Sequence, residues 1–241
     1  MEPDIYRQSY NLEKEHWWYS ARRAIILYFF KLYRDSSPSV RLLDAGCGTG
    51  YTLAQLSKYG NAFGVDLSRD AVGLSQKRNL ERLQFASLDK LPFKDSVFDW
   101  IFSLDTIEHL ENDAVVLAEF SRVCKKDGYF FLCVPAHQFL WSGEDTVSHH
   151  KRRYTNKSFA ALINSADLKI KKITHFNFLL FPFIAVIIFI KNLLNRHDSS
   201  VNKVPNFINN ILRLIFASER FILKYFNMPF GVSIMCIAQK R

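Results

Sequence analysis

Short apolar runs recur along the first 140 residues, separated by turn-forming and amphipathic segments. Each run has the length of a buried strand, and an amphipathic run with helical spacing starts at Tyr51. Strands that alternate with helices are typical of an open parallel α/β sheet. The runs predict five strands, one ending at Leu43 and the others at 61–66, 83–86, 97–103 and 128–135.

The segment 40–50 contains the most informative motif. Asp44 ends the first predicted strand, and Gly46, Gly48 and Gly50 follow at alternate positions before the helix. Glycine permits left-handed backbone and a close approach of the backbone to a ligand. A dinucleotide fingerprint would place its third glycine at Tyr51. This turn therefore predicts a different nucleotide-like ligand, bound where the sheet reverses its strand order.

This turn resembles motif I of the class I S-adenosylmethionine (SAM) methyltransferases, and the later strands follow in the order of that family over residues 38–136. The resemblance implies an α/β fold with a Rossmann-like seven-stranded sheet, and SAM as the cofactor. Asp66, at the end of strand two, would accept hydrogen bonds from ribose hydroxyls. Relatives usually carry an acid for adenine at the position of Ser87, so Ser87, Asp89 or the backbone of Leu88 takes that contact. The cofactor residues implied are Asp44, Gly46, Gly48, Gly50, Asp66, Leu67, Ser87, Leu88, Asp89, Ser103 and Arg22.

The family ends in an antiparallel pair of strands, for which 168–176 and 231–239 are the candidates. Far more residues separate them than a hairpin needs. We predict a domain of residues 1–176 and 227–241 with an N-terminal lid helix, and a helical cap insertion over 177–226. The cap would hold helices at 181–194 and 205–225. The apolar run 176–190 is shorter than the ~20 residues of a membrane span. The sequence leaves three roles open for this run: packing within the cap, self-association to a homodimer, and contact with a membrane surface.

Charge is distributed unevenly between the two halves of the chain. The net charge is +9, and the excess lies in residues 157–241, which hold 12 Lys and Arg against 3 Asp and Glu. A basic, apolar appendage indicates an anionic partner such as a membrane surface, or only a solvated rim. We do not expect a nucleic-acid partner. No leader is expected in the polar residues 1–20, and the four scattered cysteines favour a reduced, cytoplasmic protein without a metal site.

Two clusters after the fourth and fifth strands are candidates for the chemistry of methyl transfer. Glu108 and His109 follow strand four, and His150, Arg152, Arg153 and Tyr154 follow strand five. A hydroxyl acceptor would need a base such as His109, His137 or His150. A carboxylate acceptor needs no base but needs a cationic clamp, for which Arg152 and Arg153 are suited. The alternative is that the arginines bind Asp145 or Glu144.

The segments 16–23, 135–155 and 227–233 resemble a subset of bacterial methyltransferases linked to envelope polysaccharides and natural products, some of which methylate the C-terminal carboxylate of lanthipeptides. The resemblance implies natural-product biosynthesis and an O-methyltransferase for a carboxylate of a peptide or small-molecule acceptor. A sugar or lipid hydroxyl in envelope biosynthesis is the alternative. A second alternative is a SAM-binding protein without methyltransferase activity. The aromatic segment 16–23 is either a packed lid helix or places Arg22 near the SAM carboxylate.

Overall fold

The computed structural model describes residues 3–35, 39–194 and 204–241, except for the side chains of residues 3 and 4. Its centre is a seven-stranded sheet in the order β3-β2-β1-β4-β5-β7-β6, in which β7 runs antiparallel to the other six strands. This confirms the Rossmann-like α/β fold. The strands are β1 Arg41–Ala45, β2 Asn61–Asp66, β3 Leu83–Phe85, β4 Phe98–Leu104, β5 Cys124–Pro135, β6 Leu168–Phe176 and β7 Ser233–Lys240.

Helices cover both faces of the sheet, which is why its central strands are apolar on both sides. They are α1 Pro3–Leu12, α2 Trp17–Tyr33, α3 Tyr51–Leu56, α4 Arg69–Gln76, α5 Asp113–Val123, α6 Gly143–Val147, α7 Asn156–Ser165, α8 Phe181–Leu193 and α9 Asn206–Leu223. Leu42 of β1 packs into the core with α2 and α9, whereas Leu43 packs into the opposite core with α5 and α7.

The long helix α2 packs against one face of the sheet and against α9. Its buried side chains recur every three to four residues, as an amphipathic helix requires: Ala21, Ile25, Ile26, Phe29 and Phe30. Phe216 of α9 is fully buried beside Trp17 and Trp18. The aromatic segment at the start of α2 is therefore packed, and α9 shares the core of the sheet face.

The insertion between β6 and β7 contains α8 and α9, which begin and end within two residues of the predicted helices. The stretch 195–203 between them lies outside the described residues. No residue of α8 is buried, although the helix is almost entirely apolar. No helix in the described parts of the chain is long and apolar enough to cross a membrane.

Candidate active site

The carboxyl ends of the parallel strands open into a cavity of about 740 Å³. Its floor is the glycine turn after β1 together with the ends of β2 and β4. Its walls come from α1, the first turns of α2, the segment 142–153 and α8. In an open α/β sheet this is the expected ligand position, because β2 and β4 leave β1 on opposite sides and open a crevice there.

Gly46 and Gly48 shape the floor of the cavity in different ways. Both have positive φ angles, of 81° and 54°. A Cβ on Gly46 would lie 2.3 Å from Cγ2 of Thr106, so the turn packs against the end of β4 with no room for a side chain. A Cβ on Gly48 would meet nothing within 4 Å and would project into open space. Gly48 therefore leaves its backbone accessible to a bound molecule.

Two carboxyl groups face this floor. Asp66 accepts hydrogen bonds from the backbone N–H of Gly48 at 2.8 Å and of Ser68 at 2.9 Å, which fix its side chain at the edge of the cavity. Asp44 is buried, and its pKa is raised to about 7, mainly by burial and to a smaller extent by the negative charge of Asp66. Burial also raises the pKa of Asp66. A ligand that brings a positive charge and hydroxyl donors would offset the cost of these two carboxylates.

Most of the predicted cofactor residues line the cavity, and three do not. Gly50 immediately precedes α3, and a Cβ at this position would meet the side chains of Ser75 and Leu80. Asp89 is exposed outside the cavity, whereas Leu88 is buried at its wall. Ser103 is fully buried within β4, because the alternation of the strand turns the next residue, Leu104, to the cavity. The lining set comprises Arg22, Asp44, Gly46, Gly48, Asp66, Leu67, Ser87 and Leu88.

Arg22 reaches the cavity from α2 and forms an ion pair with Asp105, which follows β4. Asp105 has a φ of 52°, a conformation that costs energy for a residue other than glycine. The strained backbone and the ion pair together hold a positive and a negative group at the centre of the cavity wall. Sequence reasoning identified Arg22 but missed Asp105.

The paired arginines of the segment 150–154 point in different directions. Arg152 donates to Asp113 of α5 and to the backbone carbonyls of Leu110 and Glu111. Tyr154 is buried and donates to the same carboxylate at 2.9 Å. Neither residue lines the cavity. Because consecutive side chains of extended backbone point to opposite sides, only one of the two arginines can face the cavity.

Arg153 lies at the cavity wall but is bound within the protein. Its guanidinium forms a two-pronged contact with Asp145, at 2.7 and 2.8 Å, and donates to the carbonyl of Ala136. His150 contacts the same carboxylate through Nδ1 at 2.8 Å. Burial alone would raise the pKa of Asp145, but the bonds from His150 and Arg153 outweigh it and hold that pKa well below its usual range. Arg153 therefore forms the internal bond to Asp145 that was the alternative to a clamp for an acceptor carboxylate.

Glu108 and His109 lie beside His150, on the turn that follows β4. The rings of His109 and His150 stand edge to face with centroids 4.6 Å apart, and both line the cavity. Burial and the neighbouring His150 lower the pKa of His109 to about 4, so its ring is neutral near pH 7. Glu108 is completely buried behind the rings, and burial raises its pKa to about 8.

Several cavity residues lacked any signal in the sequence. Tyr6 and Glu13 reach the cavity from α1 and the segment after it. Glu13 accepts a hydrogen bond from the hydroxyl of Thr49 in the glycine turn and forms an ion pair with Arg78. Ile184, Ile187 and Ile188 of α8 form an apolar wall. Only contacts between distant segments bring these residues to the site, so no local pattern could have indicated them.

Comparison with known proteins agrees with this geometry. Residues 43–132 match a family model described as a methyltransferase domain. The chain is 28% identical to norajmaline N-methyltransferase of Rauvolfia serpentina over 58% of this chain and 53% of that enzyme. It is 23% identical to the ubiquinone biosynthesis O-methyltransferase of Pelagibacter ubique, over 75% of this chain and 80% of that one. It resembles a SAM-dependent methyltransferase from Mesorhizobium loti with a TM-score of 0.58 at 15% identity, covering 88% of this chain and 96% of that chain.

The fold and the cavity define a nucleotide-binding α/β protein of the type that binds its ligand at the strand crossover. Within that class, residues 43–132 match the methyltransferase-domain family model, and the chain has the fold of the SAM-dependent methyltransferases. The alignment spans about half the length of several curated relatives. The residues present fit SAM. Gly48 has no side chain and leaves room for the cofactor against its backbone. The two buried carboxyls, Asp44 and Asp66, suit the amino group and the ribose hydroxyls of SAM.

Proposed function

We propose that this chain is a SAM-dependent O-methyltransferase and that its acceptor is a hydroxyl group on an amphipathic molecule. When bound, SAM supplies a methyl group that passes in line to the acceptor oxygen as the carbon–sulfur bond breaks. The protein has to hold the two partners in line and exclude water. The lining of the cavity divides accordingly into a cofactor part, around the glycine turn, and an acceptor part, around His109 and His150.

In the cofactor part, Asp66 would receive the ribose hydroxyls and the backbone of Gly48 would lie against the bound molecule. Asp44 is a buried carboxyl just before the glycine turn and would balance the positive charge of the amino group. Leu67, Ser87 and Leu88 form the wall beyond Asp66, where the adenine ring would lie. Arg22, paired with Asp105, stands between the two parts and would orient the carboxylate of the cofactor.

The observation that carries the choice of a hydroxyl acceptor concerns the arginines. A carboxylate clamp needs free N–H groups, and Arg153 already uses its nitrogens on Asp145 and Ala136. Arg152 points away from the cavity to Asp113. In contrast, the rings of His109 and His150 face the acceptor part directly. A hydroxyl must lose a proton during methyl transfer, and imidazole groups suit that task.

The shape of the acceptor part supports an amphipathic acceptor that is reached at a membrane surface. Ile184, Ile187 and Ile188 of α8 line the cavity, while the other side of α8 is exposed. Helix α9 also exposes apolar residues along its length. We take the exposed apolar residues of the two helices as one apolar face, made of Phe183, Val186, Phe189, Ile190, Leu193, Phe207, Ile208, Ile211 and Leu214.

The distribution of charge favours a membrane over a second copy of the chain as the partner of this face. Residues 157–241 carry the whole positive excess of the protein, and Lys191 and Arg213 lie on the helices of the apolar face. Two like-charged copies would repel each other, whereas an anionic lipid surface attracts basic residues beside an apolar helix face. An acceptor dissolved in that surface would have a short path along α8 into the cavity.

Methyl transfer tests the activity directly. Purified protein is incubated with SAM labelled in the methyl group and with acceptors in two matched series, lipid-linked sugars with free hydroxyls and peptides with free C-terminal carboxylates. We expect label in the lipid-linked hydroxyl series. Transfer to peptide carboxylates instead would restore the carboxylate interpretation, and SAM binding without transfer to either series would favour a SAM-binding protein without activity.

Sedimentation with vesicles tests the membrane contact. We expect binding to vesicles with anionic lipid, weaker binding to neutral vesicles, and loss of binding in Phe189→Asp. Val115→Asp is the matched control, because Val115 is an exposed apolar residue on α5, outside the apolar face. Equal sedimentation of both variants, or a concentration-dependent dimer that Phe189→Asp disrupts, would contradict the proposal.

A further inference from the structure

Three side chains in the acceptor part of the cavity have the chemistry and spacing of metal ligands. Glu108, His109 and His150 each offer one ligating atom, and these atoms all lie within 4.8 Å of one another. Oε1 of Glu108 is 3.8 Å from Nε2 of His150. Two imidazoles and one carboxylate are a ligand set found in catalytic metal sites. His109 and His150 line the cavity, so a bound ion would keep open positions towards the acceptor.

Glu108 provides an independent indication of a missing partner. Its side chain is 0% exposed, and neither carboxylate oxygen has a hydrogen-bond partner among the described residues. A buried carboxylate without partners is costly, so such groups are normally paired, protonated or bound to a cation. Nε2 of His150 faces Oε1 of Glu108 at 3.8 Å, which is beyond hydrogen-bond distance.

The surroundings hold both histidines in the orientation that metal binding requires. Nδ1 of His150 contacts Asp145 at 2.8 Å, which places the proton on Nδ1 and leaves the lone pair of Nε2 facing Glu108. Asp145 is fixed in turn by Arg153 and by the backbone N–H of Ser142. The backbone of Ser148 and His149 lies near the ring of His109. A carboxylate or carbonyl behind each ligating histidine is the usual arrangement around metal ions.

We propose that Glu108, His109 and His150 bind one divalent transition-metal cation, for which Zn²⁺ is the reference ion. The inference rests on the proposed function and specifies how its acceptor part works. Imidazole nitrogen favours Zn²⁺ and its neighbours over Mg²⁺ and Ca²⁺, which prefer oxygen ligands. Ligand distances of about 2.0–2.1 Å place tetrahedral ligands roughly 3.4 Å apart, so the three side chains need to move together by about 1.4 Å at most.

The cation would act on the acceptor hydroxyl. Bound at an open position, the hydroxyl would lose its proton to water more easily, because the cation stabilises the oxygen anion. With the cation present, His109 and His150 would therefore act as its ligands and not as the base. The oxygen lone pair then forms the new bond to the methyl carbon, and the electrons of the carbon–sulfur bond pass to sulfur. Arg153 gains a role as a positioning residue, because it holds Asp145, which in turn orients His150.

Metal binding is measured on the tag-free full chain after treatment with a chelator, by calorimetry with Zn²⁺ and by the absorption spectrum of added Co²⁺. We expect one equivalent of Zn²⁺, and a Co²⁺ spectrum of nitrogen and oxygen ligands without a thiolate band. Glu108→Gln and His150→Gln should lose this equivalent. His149→Gln is the matched control, since His149 is an exposed histidine next to the site in sequence.

Asp145→Asn should keep the site but weaken it by roughly tenfold to a hundredfold, as substitutions behind a metal ligand do. Circular dichroism shows whether each variant is folded. No Zn²⁺ equivalent in the wild type, a thiolate band, or equal binding by folded Glu108→Gln and His149→Gln would overturn the metal site. SAM affinity and methyl transfer are measured separately. Methyl transfer by a protein that binds no metal would refute this inference alone, and a metal-binding protein without transfer would refute the proposed function alone.

Discussion

Removing the carboxylate of Asp66 should weaken SAM binding more than it destabilises the protein. Asp66 is held by the backbone N–H groups of Gly48 and Ser68, so its oxygens are fixed at the cavity edge before any ligand arrives. A hydrogen bond to a charged group contributes about 1.5–3 kcal/mol. Asp66→Ala should therefore raise the Kd for SAM roughly tenfold to 150-fold, at 1.4 kcal/mol for each factor of ten.

The same substitution also removes the acceptor of two backbone N–H groups. Gly48 faces the cavity, where water can replace the lost partner, so the cost in stability should stay near the lower end of about 1–3 kcal/mol. Asp66→Asn preserves the shape and one acceptor oxygen. Its hydrogen bonds would be neutral and contribute about 0.5–1.5 kcal/mol, so its loss of affinity should be intermediate.

Calorimetry with SAM gives the affinities, and thermal unfolding without ligand gives the stabilities. Asp70→Ala is the control, because Asp70 is an exposed aspartate on α4, four residues further along the chain. An Asp66→Ala protein that is folded and binds SAM as the wild type does would remove Asp66 from the site. Equal losses in Asp66→Ala and Asp70→Ala would mean that only the overall charge matters.

Three further predictions concern the glycine turn, the acceptor part and a buried acid. Gly46→Ala should lower the melting temperature, because its Cβ would clash with Thr106. Gly48→Ala should mainly weaken SAM binding, measured by calorimetry. A larger loss of melting temperature in Gly48→Ala, with a larger loss of SAM affinity in Gly46→Ala, would contradict this. Arg153→Lys should lower kcat with little change in SAM affinity, since lysine cannot make the two-pronged contact with Asp145, and a wild-type kcat would refute it. Burial raises the pKa of Glu219 to about 7, although hydrogen bonds from the backbone N–H groups of Asn177 and Leu179 act to lower it. The stability from its protonated form is fully present below about pH 4.5 and is lost as pH rises through 7, so Glu219→Gln should remove about 3 kcal/mol of pH dependence in urea unfolding.

Sequence alone predicted the parts of this protein that depend on contiguous segments. A strand, a glycine turn and a helix form one local unit, and its glycines are required by its own backbone angles. The acid at the end of β2 is likewise placed by the strand that carries it. The seven-stranded sheet followed from the resemblance to the methyltransferase family. Ser103, which the sequence placed near the cofactor, does not line the cavity, because consecutive residues along β4 face opposite sides of the sheet.

The acceptor part depends on contacts that only the tertiary structure decides. A pair of arginines in the sequence suggests a clamp, but the partner of each guanidinium is chosen by a carboxylate in another segment. His150 lies 42 positions after Glu108 and 41 after His109 in the chain, a separation at which no motif spacing indicates a shared site. The apolar sequence of α8 left cap packing, self-association and membrane-surface contact open, and in the structure one side of the helix lines a cavity while the other is exposed. Periodicity reports that a surface is apolar, but what covers that surface is determined by the elements that pack around it.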